Sequence, residues 1–314
     1  MVRPPVNLPD LVGRVVDRLR IIPDEHRAFT VSRRLVWDEY RIPDELIDDA
    51  LTHGLPHATA PGPLFDHYDL VNLALDLGIK SVWTFAMNTW HRALRSSTKS
   101  DTVTYGIEYS LACPNQGHAG NCEFSVLLPE IGWTACPPER NSCMPVVATT
   151  VRLPSVWPDL PGPARELIDE FAGLEFRRLP SGLQLDLEFI RRSGMSDCSG
   201  AATLLKREGQ ARGIPIRFAF GLIVAPPFSS LHCWNEVKVE DVWVPIDPLI
   251  VTAMTKWNHI DACEWPPARS LGAILVPLSD EIGPVSLHGG KETRVTFPTR
   301  ILPTEYSEPV RTTV

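Results

Sequence analysis

The sequence predicts an α+β protein in which a helix starting at a cysteine packs on an antiparallel sheet. Three observations lead there. The first hundred residues carry apolar side chains at helical spacing. After residue 100 the chain turns to runs rich in Val, Thr, Tyr and Phe. From Cys198 to Asp247 a helix, a strand and a tight hairpin follow one another. This order predicts a mainly helical N-terminal region over 1–98, a β-rich segment with Cys-containing loops over 99–155, and a C-terminal domain over 156–314.

Leu8, Leu11, Val12, Val15, Val16 and Leu19 recur on one helical face. Pro43, Asp44 and Glu45 open a second helix, with acids placed to favour its N-terminal dipole, and Gly54 closes it. Residues 68–77 and 80–94 read as two more, joined at Gly78, after a loop at 57–63. Strands are expected at 102–111, 123–128 and 146–153, with loops at 113–122 and 136–143. The four prolines of 154–163 mark the best internal boundary. Helical patterns resume at 164–176 and 183–192. A helix over 198–212 ends at Gly213, the usual position beyond a C-terminus. Strands follow at 216–225, 231–239 and 242–246, the last two joined through Glu240 and Asp241. Strand-like runs at 272–277 and 294–301 come next, and the last ten or so residues read as frayed.

Composition narrows the function classes. Hydrophobic residues are 44% and charged residues 22%, enough for a real core. Lys and Arg total 30 against 38 Asp and Glu, a net charge of −8, which argues against a general nucleic-acid binder. The longest apolar runs, such as 218–227, fall far short of the roughly 20 residues needed to span a bilayer. The first ten residues lack the apolar segment of a signal peptide. The expectation is a soluble cytoplasmic protein without nucleic-acid or membrane partners. Seven cysteines, an odd number, leave at least one thiol outside any internal disulfide.

Cys198 is the candidate nucleophile. Asp197 or Ser196 can cap the helix it opens, and the positive end of the helix dipole lowers a thiol's pKa. Ser199, Gly200, Ala201 and Ala202 are small, which suggests close substrate approach. The bland alternative is a buried helix-start cysteine acting as a small apolar residue. The hairpin turn at Glu240-Asp241 sets His232 opposite the region just past Asp247, bringing an imidazole and a carboxylate to one end of a sheet. With Cys198 this makes a nucleophile, a base and an orienter. Trp234 shares the strand face of His232; it reads as core packing or as a cover on the imidazole that contacts substrate. Cys233 points the other way and reads as buried filler. Arg217 is expected to pair with an unspecified acid, Glu236 to be structural or solvated, and Trp243 to pack in the core.

The run Arg212-Gly213-Ile214-Pro215-Ile216-Arg217, then Gly221, His232-Cys233-Trp234-Asn235-Glu236-Val237 and Trp243-Val244-Pro245-Ile246-Asp247-Pro248, together with Cys198, resembles the transglutaminase-like superfamily. The resemblance covers about a third of the chain, with its core motif over 160–265. It implies a papain-like core with a Cys-His-Asp triad in this chain order, which maps onto Cys198, His232 and Asp247. It implies a thioester acyl-enzyme that passes its acyl group to an amine, possibly from a carrier-protein thioester, or to water. The acyl donor would be a peptide amide or carrier-protein thioester and the acceptor an amine, with no cofactor. A peptidase or amidase of the same superfamily, or a non-catalytic binding module, is the alternative. Animal transglutaminases place a Trp ahead of the cysteine to stabilise the oxyanion; here Trp157 and Gln184 are equal candidates, and the backbone N–H of Cys198 is the donor the helix start supplies. By analogy, the first 155 residues would shape an acceptor or carrier-protein site.

Cys113, His118 and Cys122, then Cys136 and Cys143, sit in turn-rich loops. Four Cys and a His between strands can hold structural zinc, but the gaps of 8 and 6 residues are wider than the usual knuckle, so unlinked thiols and no metal are expected. His26, His53, His57, His67, His91, His259 and His288 show no ligand spacing. Gly289-Gly290-Lys291-Glu292 lacks the spacing of a phosphate loop, and Ser196 to Gly200 has the wrong downstream order for an α/β-hydrolase elbow.

Overall fold

The computed structural model describes residues 8–59, 62–115, 118, 121–136, 143–257 and 259–303. The expected frayed terminus and most of the 136–143 loop lie outside them. Helices Leu8–Leu19, Asp44–Thr52, His67–Asp76 and Val82–Ser97 form the N-terminal region. Their stops follow the sequence signals: Gly54 and Gly78 both adopt positive φ just past a helix end. Asp66 caps the third helix by accepting from the N–H groups of Tyr68 and Asp69, and Ser81 opens the fourth through a reciprocal capping box with Thr84.

The central feature is a seven-stranded antiparallel sheet. Its order is Leu275–Ser279, Ile216–Ile223, Phe228–Val239, Val295–Leu302, Thr102–Leu111 and Val146–Pro154, with Val242–Ile246 pairing the far half of Phe228–Val239. The strand at 295–302 bridges the expected β-rich segment and the expected C-terminal domain, so strands on either side of the 155/156 boundary share one sheet. A second sheet orders Lys291–Glu292, Ser286–His288, Phe124–Leu128 and Gly132–Cys136. The strand Gly132–Cys136 lies outside the expected strands. Positive φ at Glu130 and Gly132 makes it the return arm of a hairpin.

Two helices are shorter than their patterns suggest. Gly162–Phe171 stops before Gly173, and Glu175–Phe176 instead pairs in parallel with Met195–Ser196, directly ahead of Cys198. Leu187–Ser193 starts late because Asp186 caps it. One helix, Pro248–Lys256, was not anticipated. Pro248 reads as a break, but at the first helical turn its missing N–H costs nothing.

The N-terminal region is joined to this core by buried polar contacts. Arg177, 2% exposed, meets Asp76 at 2.6 Å, and Asp76 also accepts from the Trp257 indole at 3.1 Å. Asn72 exchanges two hydrogen bonds with the backbone of Arg178, and Arg18 reaches Glu175 at 3.0 Å. Buried charges persist only when paired and hydrogen-bonded, so these contacts fix where the N-terminal helices sit.

Candidate active site

The helix Cys198–Ala211 begins as its sequence dictates. Asp197 adopts the extended N-cap conformation, and its Oδ1 accepts from the Gly200 N–H at 3.0 Å and the Ser199 hydroxyl at 2.7 Å. Cys198 is therefore the first helical residue, half-buried at the positive end of the dipole. The helix lies against the strand Phe228–Val239, where buried Asn235 donates to the Ala202 carbonyl at 2.9 Å. The smallness of Gly200 serves packing of the helix start against the segment that precedes it. A Cβ there would lie 2.3 Å from the Gln184 carbonyl oxygen.

The hairpin has the expected register. Val239 faces Val242 and Val237 faces Val244, with Glu240 at positive φ in the turn. His232, 4% exposed, places Nε2 2.5 Å from Oδ2 of Asp247. Asp247 has a second duty: its Oδ1 accepts from the Ile250 N–H at 3.0 Å and caps Pro248–Lys256. The cap orients the carboxylate, and the carboxylate orients the ring. Nδ1 is then the ring nitrogen left for the thiol of Cys198, which is within hydrogen-bonding reach of the imidazole.

Cys233 is not filler. Strand alternation turns it away from His232, and that face is the one against the Cys198 helix. Its thiol and backbone N–H lie close enough to Cys198 to stabilise a charge on that sulfur. These contacts, led by the Cys233 thiol and joined by the charge of His232, hold the Cys198 thiol well below its ordinary pKa against the opposing effect of burial. The same contact, with burial, pushes the Cys233 thiol far up, so Cys198 is the sulfur that ionises. Burial alone would lower the His232 pKa. The Cys198 thiolate and the Asp247 hydrogen bond outweigh it and raise the imidazolium to about 10. Burial, followed by the thiolate's charge, raises Asp197 to about 6.

Two indoles enclose the imidazole. Trp234 stacks on it at 6.3 Å between centroids, 17° from parallel, and Trp90 of the helix Val82–Ser97 lies 6.0 Å away. Trp234 is 1% exposed, covers the imidazole and lines the pocket beside Cys198. The Trp90 role was missed, because nothing local to residue 90 signals contact with a strand far along the chain. Neither expected oxyanion side chain is aimed at the thiol: Trp157 donates to the Pro154 carbonyl at 3.0 Å and Gln184 to that of Leu179 at 2.9 Å. The first-turn N–H groups at Cys198 are the donors at hand. Glu236 is buried and paired with Arg217, which also lies 4.3 Å over the Trp243 ring. Gly221, opposite His232, is required because a Cβ would lie 2.1 Å from the Val276 carbonyl oxygen. A narrow pocket lined by Cys198, Leu174, Ala201, Trp234, Asp247 and Leu249 adjoins the thiol. The roomier cleft beside Arg14, Arg18, Lys80 and Lys256 does not include Cys198.

A thiol at a helix start, beside an imidazole that a capped carboxylate orients, is the arrangement that cysteine-nucleophile proteins use. Residues 168–248 match the family model of the transglutaminase-like superfamily. The matched segment contains Cys198, His232 and Asp247, and members of that superfamily are usually cysteine-dependent enzymes. No curated protein matches the chain. No helix among the described residues is long and apolar enough to cross a membrane.

Proposed function

We propose that the protein is a cysteine-dependent acyltransferase. The observation that supports this best is the shared position of His232, bonded to Asp247 through one ring nitrogen and in reach of the Cys198 thiol with the other. The Cys198 thiolate adds to an acyl carbonyl, and the oxyanion faces the first-turn N–H groups of its helix. Collapse forms the thioester and expels the leaving group, which takes a proton from the His232 imidazolium. His232, now neutral, accepts a proton from an incoming amine or water as it attacks the thioester. An amine gives a new amide and water gives the acid. The acyl donor we favour is a peptide amide or a carrier-protein thioester. The enclosure of the imidazole by Trp90 and Trp234 limits water at the base, which favours the amine.

The test is to incubate the protein with a small acyl thioester, S-acetyl-N-acetylcysteamine, and read the intact mass. One acetyl group is expected on Cys198, located by peptide mapping, and an added primary amine should discharge it as the amide faster than buffer discharges it as acetate. An unmodified Cys198 under conditions where the protein is folded contradicts acyl transfer. Discharge that is insensitive to amine contradicts the preference for amide formation.

A further inference from the structure

Five metal-binding side chains meet where the large sheet adjoins the small one. Cys113 follows the strand Thr102–Leu111, and His118 and Cys122 precede Phe124–Leu128. Cys143 precedes Val146–Pro154, and His288 ends Ser286–His288, directly opposite Phe124. One ligand atom from each of Cys113, His118, Cys122 and His288 lies within 4.8 Å of all the others. The Cys122 sulfur is 3.4 Å from Nε2 of His118 and 3.9 Å from the sulfur of Cys143.

These spacings suit a metal. Zinc bonds sulfur at about 2.3 Å and imidazole nitrogen at about 2.0–2.1 Å, so the edges of a tetrahedral site measure about 3.3–3.8 Å. A second observation is independent of the sulfurs. Nε2 of His288 is buried without a hydrogen-bond partner, while its ring lies edge-on to His118 at 5.1 Å and to Phe124 at 4.6 Å. A buried ring nitrogen with no partner calls for an explanation, and a ligated ion supplies one. Thiolate and imidazole together select zinc over the hard cations.

We propose that Cys113, His118, Cys122 and His288 bind one structural zinc ion, with the Cys143 thiol beside Cys122 at the rim. The ion would tie the end of the large sheet to two strands of the small one, contributing to folding as structural zinc sites do. The set departs from the sequence reading in two ways. Cys136 is not part of it, being buried in a strand opposite Phe124, and His288, which showed no ligand spacing, is. None of these residues lines the pocket at Cys198.

The test is metal analysis of the full chain purified without chelator, followed by zinc reconstitution. One zinc per chain is expected in the natural protein, in Cys198→Ala and in Cys136→Ser. Cys122→Ser and His288→Ala should each reduce retained zinc at least about tenfold after dialysis. Should either variant fail to fold, cobalt titration of the metal-free natural protein still decides. Tetrahedral d–d bands with thiolate charge transfer are expected. Folded protein that takes up neither zinc nor cobalt overturns the site, as does equal zinc loss in Cys136→Ser and Cys122→Ser. A Cys122–Cys143 disulfide in the purified, metal-free chain overturns it too.

Discussion

Cys198→Ala is expected to abolish turnover and leave the fold intact. The change removes one sulfur from a half-buried helix start, and the cap at Asp197 does not depend on it. Stability should move by about 1 kcal/mol or less. Rate should fall by roughly 10⁴-fold or more, since removing the nucleophile of a triad removes the covalent route altogether. Cys233 is the internal control. Its proton stays bound far above neutral pH, so Cys233→Ala cannot lose the nucleophile, only one contact with it. A dead Cys233→Ala beside an active Cys198→Ala would reverse the assignment. Rate and melting temperature measured on the same preparations decide between them.

Asp247→Asn is expected to cost about 10²–10³ in rate with little loss of stability. The helix cap determines why. Oδ1 must remain an acceptor for the Ile250 N–H, which Asn can satisfy as well as Asp. The amide –NH₂ then faces Nε2 of His232 and forces the ring proton onto Nδ1, beside the thiol. That is the wrong tautomer for a base, and the imidazolium loses its negative partner. In a serine triad the same change costs on the order of 10⁴. A thiolate–imidazolium pair formed before substrate arrives should be less sensitive. Asp247→Ala loses the cap as well, typically about 1 kcal/mol, and should melt earlier than Asp247→Asn. If Asp247→Asn turns over normally per folded molecule, Asp247 only caps a helix.

What the sequence disclosed and what it hid follow from one distinction. Features set by near neighbours were legible: the cap and start at Asp197 and Cys198, the stop at Gly213, and the Glu240 turn that brings Asp247 to His232. Features set by which elements become neighbours were not. Period 2 turns Cys233 away from His232, yet only the packing of the Cys198 helix shows that this direction leads to the thiolate. Trp90 and His288 reach partners that are distant along the chain. The strand Val295–Leu302 looks like any terminal strand, although it joins the two halves of the sheet. The helix after Asp247 has a local signal, since Asp247 caps it and Pro248 fits its first turn.

The central claim is that Cys198 rests as a thiolate beside a charged His232. The most direct measurement is the pH dependence of iodoacetamide alkylation at Cys198, mapped by peptide mass, for the natural protein and His232→Ala. Between pH 6 and 9 the natural protein should react at a nearly constant rate. The Cys198 thiol is held well below its ordinary pKa, and the His232 pKa of about 10 lies above the upper limit. In His232→Ala the thiolate loses its cationic partner. The rate at pH 6 should fall at least about tenfold and climb toward that of an ordinary thiol with a pKa near 8.5. A natural protein whose rate rises tenfold per pH unit through neutrality, or a profile that His232→Ala leaves unchanged, would contradict the account.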